Sequence, residues 1–188
     1  MKAPISYEPS FVANPAEAFR ALWEELQWER RGTTPRREYY ANDVPVPYQY
    51  GKDVGVRQYL PKPWHPVMLT LREQLEAHTG TRFEVCFLNG YQDQSDSLGW
   101  HADDSPEMDP KRPIAIISLG AEREIWFRPQ DDKLAVDKLK LGDGSLCLMN
   151  AGMQMPGGWY HRIPKAGFVC GPRISLTFRG YVDPAGGN

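Results

Sequence analysis

The chain has 188 residues, 41% hydrophobic and 24% charged, with a formal net charge of -2, an ordinary globular balance with room for one core and not for two. No run of about 18 apolar residues is present to cross a bilayer, and the first ten residues lack the apolar stretch of a secretory signal. A pI of about 6.1 excludes a protein that coats nucleic acid by bulk positive charge; only a local basic patch remains open.

The first predicted element is a helix. Asn14 can cap it, Pro15 suits its first position, and Glu17 completes a capping-box pattern. Phe19, Leu22, Trp23 and Leu26 then recur at helical spacing. From Glu29 to Pro61 the chain is rich in Arg, Pro and Tyr and reads as loops with short strands. This stretch holds Arg30, Arg31, Arg36 and Arg37, flanked by Trp28, Tyr39, Tyr40, Tyr48 and Tyr50. A second helix is expected from Pro66 to His78, with Met68, Leu71 and Leu75 on one stripe and Gly80 just past its end.

From Arg82 onward the pattern changes to strands: Phe83–Asn89, Ile114–Leu119, Glu124–Arg128, Ser145–Met149, Trp159–Ile163 and Arg173–Tyr181. Gly90, Gly99, Asp109-Pro110, Gly142-Asp143-Gly144, Gly157-Gly158 and Gly171-Pro172 punctuate them. No clear helices separate these strands, which disfavours a parallel βαβ fold. The expected class is α+β, mainly β: a jelly roll (double-stranded β-helix) backed by N-terminal helices. One domain over residues 1–188 is expected, with a helical and substrate-recognition part at 1–81 and a jelly-roll catalytic core at 82–181. Cys86, Cys147 and Cys170 form no CxxC pair and read as free thiols of a reducing cytoplasm.

Four histidines are present. In an extended segment, residues i and i+2 share a side, so His101 and Asp103 can aim an imidazole and a carboxylate at one point. His161, on a later strand, would complete two histidines and one carboxylate on one face of a non-haem iron(II). The last strand alternates Arg173, Ser175, Thr177 and Arg179 on one face with Ile174, Leu176 and Phe178 on the other, and either face can point inward. If the polar face does, its arginines need anionic partners. They would stand about 20 Å apart along the strand, one at each end of a short dicarboxylate. Asn89 and Tyr91 share a face just before His101 and offer hydrogen bonds to a small polar ligand.

The order Asn-x-Tyr, His-x-Asp, Trp-x-His and Arg-x-Ser-x-Thr-x-Arg resembles the AlkB family of iron(II)/2-oxoglutarate dioxygenases. Pro113–Ala121 and His161–Lys165 match it locally, and the likeness runs from about Arg36 to Tyr181. The resemblance implies Fe(II) on His101, Asp103 and His161, with 2-oxoglutarate and O₂ as co-substrates. Arg173 would receive the distal carboxylate with Asn89 and Tyr91 helping. Ser175 and Thr177 would line the same site, and Arg179 would act at the metal end. It also implies oxidative dealkylation of an N-alkylated base that has been flipped out or was never paired. Tyr50 would then stand opposite His101 as a base sandwich, Tyr48 would lie near the backbone of the nucleic-acid strand, Asp104 would contact the base, and the arginines including Arg36 would grip phosphates.

The chain departs from the family at Ser175, where Asn is usual. The Arg31–Thr34 loop is short and carries no aromatic wedge, which points to single-stranded substrates. The stretch from Met153 to Gly158 is longer than in some relatives. The partners expected are alkylated DNA or RNA, with no membrane and a monomeric state. A 2-oxoglutarate hydroxylase of another substrate (protein, lipid or unalkylated base) and a jelly-roll binding module are the alternatives.

Overall fold

Two helices decide which face of the central sheet turns inward. The chain is described from a computed structural model over residues 2–32, 34–50 and 57–182, with the backbone alone for Tyr50. Helix α1 spans Pro15–Glu25 and helix α2 spans Pro66–Thr79. Pro15 opens α1 as expected, but Asn14 makes no side-chain cap, so the capping box does not form. The buried Ala18 and Leu22 hold the helix to the sheet instead. At α2, His65 Nδ1 accepts from the Val67 N–H at 3.2 Å, and Gly80 closes the helix in the left-handed region at φ 66°.

The strands are β1 (Ile5–Glu8), β2 (Arg37–Asn42), β3 (Tyr48–Tyr50), β4 (Arg57–Tyr59), β5 (Val85–Tyr91), β6 (Leu98–His101), β7 (Ile114–Gly120), β8 (Arg123–Pro129), β9 (Asp137–Leu141), β10 (Ser145–Met149), β11 (Trp159–Ile163) and β12 (Arg173–Arg179). They form an antiparallel six-stranded sheet in the order β1-β10-β7-β12-β5-β2, a four-stranded sheet in the order β6-β11-β8-β9, and the hairpin β3-β4. The crossing between sheets is that of a jelly roll.

Strand β12 lies between β5 and β7, and both of its faces are buried. Ile174, Leu176 and Phe178 join Leu22, Met68, Leu71 and Leu75 in one cluster, so the helices cover the apolar face. Each such fully buried side chain contributes about 1.5–3 kcal/mol. The other face, with Arg173, Ser175, Thr177 and Arg179, therefore turns between the sheets. There Tyr91, Ile116, Ile125, Phe127, Cys147, Met149 and Ile163 form a second core. A third cluster, Tyr40, Tyr48, Tyr59, Val85, Phe87 and Met108, seats the hairpin against β2 and β5.

The N-terminal part supplies β1 and β2, the two edge strands of the larger sheet, through pairing with β10 and β5. Sequence reasoning also passed over β6 and β9. The first is four residues long and contains Gly99. The second carries exposed Lys138 and Lys140, a composition suited to blunting a sheet edge.

Candidate functional site

Strands β6 and β11 are neighbours, and their register sets His161 directly opposite His101. The imidazole centroids are 4.1 Å apart. Asp103 follows two residues after His101, with Oδ1 3.7 Å from His101 Nε2 and Oδ2 3.8 Å from His161 Nε2. One ligand atom from each residue falls within 4.8 Å of the others, and it is the one such group of potential metal ligands among the described residues.

Hydrogen bonds behind the rings fix what the rings present. His101 Nδ1 lies 2.9 Å from the Gly99 carbonyl, which only accepts, so Nδ1 carries the proton and Nε2 keeps its lone pair. His161 Nδ1 lies 3.0 Å from Gln154 Oε1, which also accepts the Asp103 N–H at 3.2 Å. One amide oxygen thus sets the tautomer of His161 and anchors Asp103. Burial lowers both imidazole pKa values, that of His161 to about 3, and keeps the rings neutral. Burial opposes ionisation of Asp103, but Arg179, at 2.7 Å from Oδ1, outweighs it with the two imidazoles and holds the carboxyl at about 2. Asp103 Oδ2 is buried with no hydrogen-bond partner among the described residues. Two nitrogen lone pairs and an orphaned carboxylate oxygen with no proton among them form a donor set that fits a divalent cation. Two imidazoles and one carboxylate are the ligands of non-haem iron(II).

Arg173 supplies the second half of the site. Its side chain is wholly buried, its Nη2 donates to Ser118 Oγ at 2.8 Å, and its guanidinium lies 5.2 Å from the Tyr91 ring centroid. Among the described residues Nε and Nη1 have no hydrogen-bond partner, and neither has the Tyr91 hydroxyl. Burial pulls the Arg173 pKa down to about 10, with Arg123 adding to the effect and Tyr91 opposing it, so the group is still a cation at neutral pH. A buried charge with two unused donors calls for an anion, and the guanidinium fork matches a carboxylate. Register pairing sets Tyr91 beside Arg173 and Asn89 beside Ser175. Thr177, two residues further along, pairs with Phe87 and Ile116.

A cleft opens beside His101 and Asp103 with Tyr48, Tyr59, Phe87 and Leu98 as walls and Arg36 and Asn89 at one side. Tyr48 is buried, its hydroxyl accepts from Ser105 Oγ at 3.2 Å, and its ring lies 6.0 Å from the Arg179 guanidinium. Asp104 is exposed on the rim of an adjoining cavity that Asp103 also lines. The Tyr50 side chain, expected opposite His101, lies outside the described residues.

Arg36 corrects the basic-loop expectation. It is buried, with Nε donating to Asn89 Oδ1 at 2.6 Å and Nη2 to Glu38 Oε1 at 2.8 Å. Glu38 is the register partner of Asn89, so the pairing of β2 with β5 brings both acceptors to Arg36 and draws it inside. Arg30, Arg31 and Arg37 stay outside: Arg30 contacts Asp96 at 3.4 Å, Arg31 lies over Tyr59, and Arg37 lies over Trp23.

Several residues escaped sequence reasoning. Gln154 sits within the long stretch before Trp159, without a motif of its own. Tyr59 reaches the cleft as the register partner of Tyr48 and donates to Glu38 Oε2 at 2.9 Å. Arg123 is buried and donates to the carbonyls of Asp93, Asp96 and Pro164, which ties the loop after β5 to the end of β11. Alternation on β8 was the available signal for its inward direction.

Residues 11–179 match a family model described as the 2OG-Fe(II) oxygenase superfamily. The chain is 36% identical over 154 residues to the DNA oxidative demethylase ALKBH2 of Homo sapiens, which covers 78% of this chain and 57% of the relative. It is 35% identical over 186 residues to the alpha-ketoglutarate-dependent dioxygenase alkB homolog 3 of Bos taurus, with 89% and 62% covered. The chain thus spans about three fifths of the length of these relatives. In fold it is similar to the solved structure of OsALKBH1, with a TM-score of 0.66 at 14% identity over 96% of this chain and 99% of the other.

Proposed function

The chain belongs to the 2OG-Fe(II) oxygenase superfamily and is of the AlkB type, and from that premise we propose that it oxidatively dealkylates N-alkylated bases of nucleic acid. In this reading residues 1–188 act as one catalytic domain. His101, Asp103 and His161 hold Fe(II), and 2-oxoglutarate sets its distal carboxylate on Arg173. When bound, the iron and 2-oxoglutarate activate O₂, yielding succinate, CO₂ and a hydroxylated alkyl group that departs as formaldehyde.

The residues of the chain orient and enclose these partners. Gly99 and Gln154 keep both Nε2 lone pairs forward. Arg179 keeps Asp103 ionised. Tyr91 and Ser118 frame the Arg173 fork, while Asn89, Ser175 and Thr177 line the space toward the iron ligands. The aromatic cleft of Tyr48, Tyr59 and Phe87 suits a flat base beside His101, and Arg36 and Asn89 border it at one side. Asp104, on the rim, and Tyr50 are further candidates for base contact. A short 31–34 loop with no aromatic wedge favours single strands. The three cysteines are free, consistent with a reducing cytoplasm; no helix of the described residues is long and apolar enough to cross a membrane. A monomer suffices for this arrangement, since every assigned group comes from one chain.

The observation that carries the reading is the wholly buried Arg173 with two idle donors, in the same inter-sheet space as an unprotonated two-histidine, one-aspartate cluster. Incubation with Fe(II), 2-oxoglutarate and ascorbate tests it against methylated single- and double-stranded oligonucleotides. The expected result is succinate, formaldehyde and an unmodified base, faster on single strands. Succinate with no change in any oligonucleotide would move the activity to another substrate, and no succinate at all would remove the enzyme reading.

A further inference from the structure

The four-stranded sheet has an outer face that the cleft does not use. Along β11 and β8, Trp159, His161, Ile163, Ile125 and Phe127 are buried, so Tyr160, Arg162, Trp126 and Arg128 point the other way. Cross-strand register pairs Arg162 with Trp126, Trp126 with Lys138, and Tyr160 with Arg128. Trp100, on edge strand β6, completes the row.

Cations and rings alternate along it. Lys138 Nζ lies 4.0 Å from the Trp126 ring centroid, and the Arg162 guanidinium lies 4.2 Å from Trp126 and 4.8 Å from Trp100. Arg128 lies 4.4 Å from Trp100 and 5.8 Å from Tyr160. Among the described residues neither the Arg128 nor the Arg162 side chain has an ion pair or a hydrogen bond, and the Nε of each is buried without a partner. Glu124, two residues before Trp126 on the same face of β8, accepts from Trp126 Nε1 at 2.8 Å. Burial and the neighbouring Arg128 both lower the Arg162 pKa, as expected for like charges held together with no counter-ion.

The outer face of an antiparallel sheet is usually polar. Here two tryptophans and a tyrosine interleave with cations whose terminal nitrogens are free for an anion. Flat rings plus unpaired guanidinium groups match a polymer of stacked bases and phosphates, and no single small anion would use both. Trp100 and His101 are consecutive on edge strand β6, one facing out and one facing the cleft.

We propose that this outer face, from Trp100 through Arg162 to Lys138, is a single-stranded nucleic-acid track that holds nucleotides flanking the target base. A strand with its target beside His101 passes over the β6 edge and continues across the sheet. The track rests on the nucleic-acid reading of the cleft for its purpose, but its binding is measurable apart from catalysis.

The test uses the full chain and two variants, Trp126→Ala/Arg128→Ala and Lys138→Glu, whose fold is checked by circular dichroism. Affinity is read by fluorescence anisotropy on an unmodified 15-nucleotide single strand, and turnover on a methylated 15-mer and a methylated trinucleotide. The double variant is expected to bind the 15-mer about tenfold more weakly, and its salt slope to fall by about 0.7 for the lost phosphate contact. KM for the methylated 15-mer rises in step, while kcat and trinucleotide turnover stay unchanged. Lys138→Glu, fully on the surface, weakens 15-mer binding several-fold and keeps the test decisive should the double variant not fold. Wild-type binding by the folded variants overturns the track. Weakened binding by the variants with no turnover of any methylated strand by the wild type keeps the track and sinks the dealkylase.

Discussion

Replacing Arg173 with methionine separates the ligand role of this residue from its structural cost, because the two predict opposite signs. In the co-substrate complex the variant loses charge-assisted hydrogen bonds from Nε and Nη1, each about 1.5–3 kcal/mol. Two such bonds correspond to a rise of at least about a hundredfold in the KM for 2-oxoglutarate. In the free protein the same change removes an uncompensated buried cation. Exchange of buried charge for an apolar side chain of similar volume is neutral or stabilising by about 1–4 kcal/mol. Loss of the bond to Ser118 Oγ returns about 1 kcal/mol of that. The free variant is therefore expected to melt at or above the wild-type temperature, at about 2–4 °C per kcal/mol for a domain of this size. Wild type with 2-oxoglutarate at 100 times its Kd gains about 2.7 kcal/mol, and the variant gains almost none at the same concentration. Differential scanning fluorimetry under argon with Mn(II), with and without 2-oxoglutarate, reads the stability of the free variant and the gain on binding, and initial rates of succinate formation in air with Fe(II) read the KM. An unchanged KM, or a free variant that is several kcal/mol less stable, would refute the idea that Arg173 waits for an anion.

Gln154→Leu leaves His161 Nδ1 and the Asp103 N–H without their shared acceptor, and iron affinity is expected to fall about 10–100-fold in a metal titration. Asp103→Asn removes the ligand charge and the Arg179 counter-ion together; iron content after reconstitution should drop to background by elemental analysis, with lower thermal stability. In the metal-free protein His161 has a folded pKa of about 3, below its unfolded value, so its contribution to stability is complete above about pH 6.5 and lost as pH falls toward 3. Asp103, held at about 2, adds a second loss between about pH 4 and pH 2. Melting temperature from pH 7.5 to pH 4.5 should fall, and His161→Leu should flatten the fall; an equally steep His161→Leu profile would remove His161 as its source.

The His-x-Asp spacing and the later histidine were readable because strand periodicity acts over two residues and needs no tertiary knowledge. The direction of β12 was not readable. Alternation marks two faces, and both are buried here; only the packing of α1 and α2 on Ile174, Leu176 and Phe178 decides that Arg173 turns in. Arg36 misled for a related reason. A charge in a run of arginines looks solvated until the pairing of β2 with β5 brings Glu38 and Asn89 to it. Asn14 has the chemistry of a cap, yet Pro15 and the buried stripe of α1 fix the helix start without it. Gln154 and Tyr59 matter through positions set by other elements, so no local pattern announces them.

Iron-edge anomalous scattering from crystals grown anaerobically with Fe(II) and 2-oxoglutarate bears most directly on the account. A single strong peak is predicted within bonding distance of His101 Nε2, Asp103 Oδ2 and His161 Nε2, with the distal carboxylate of 2-oxoglutarate on Arg173. A peak elsewhere, or 2-oxoglutarate bound with Arg173 untouched, would contradict it.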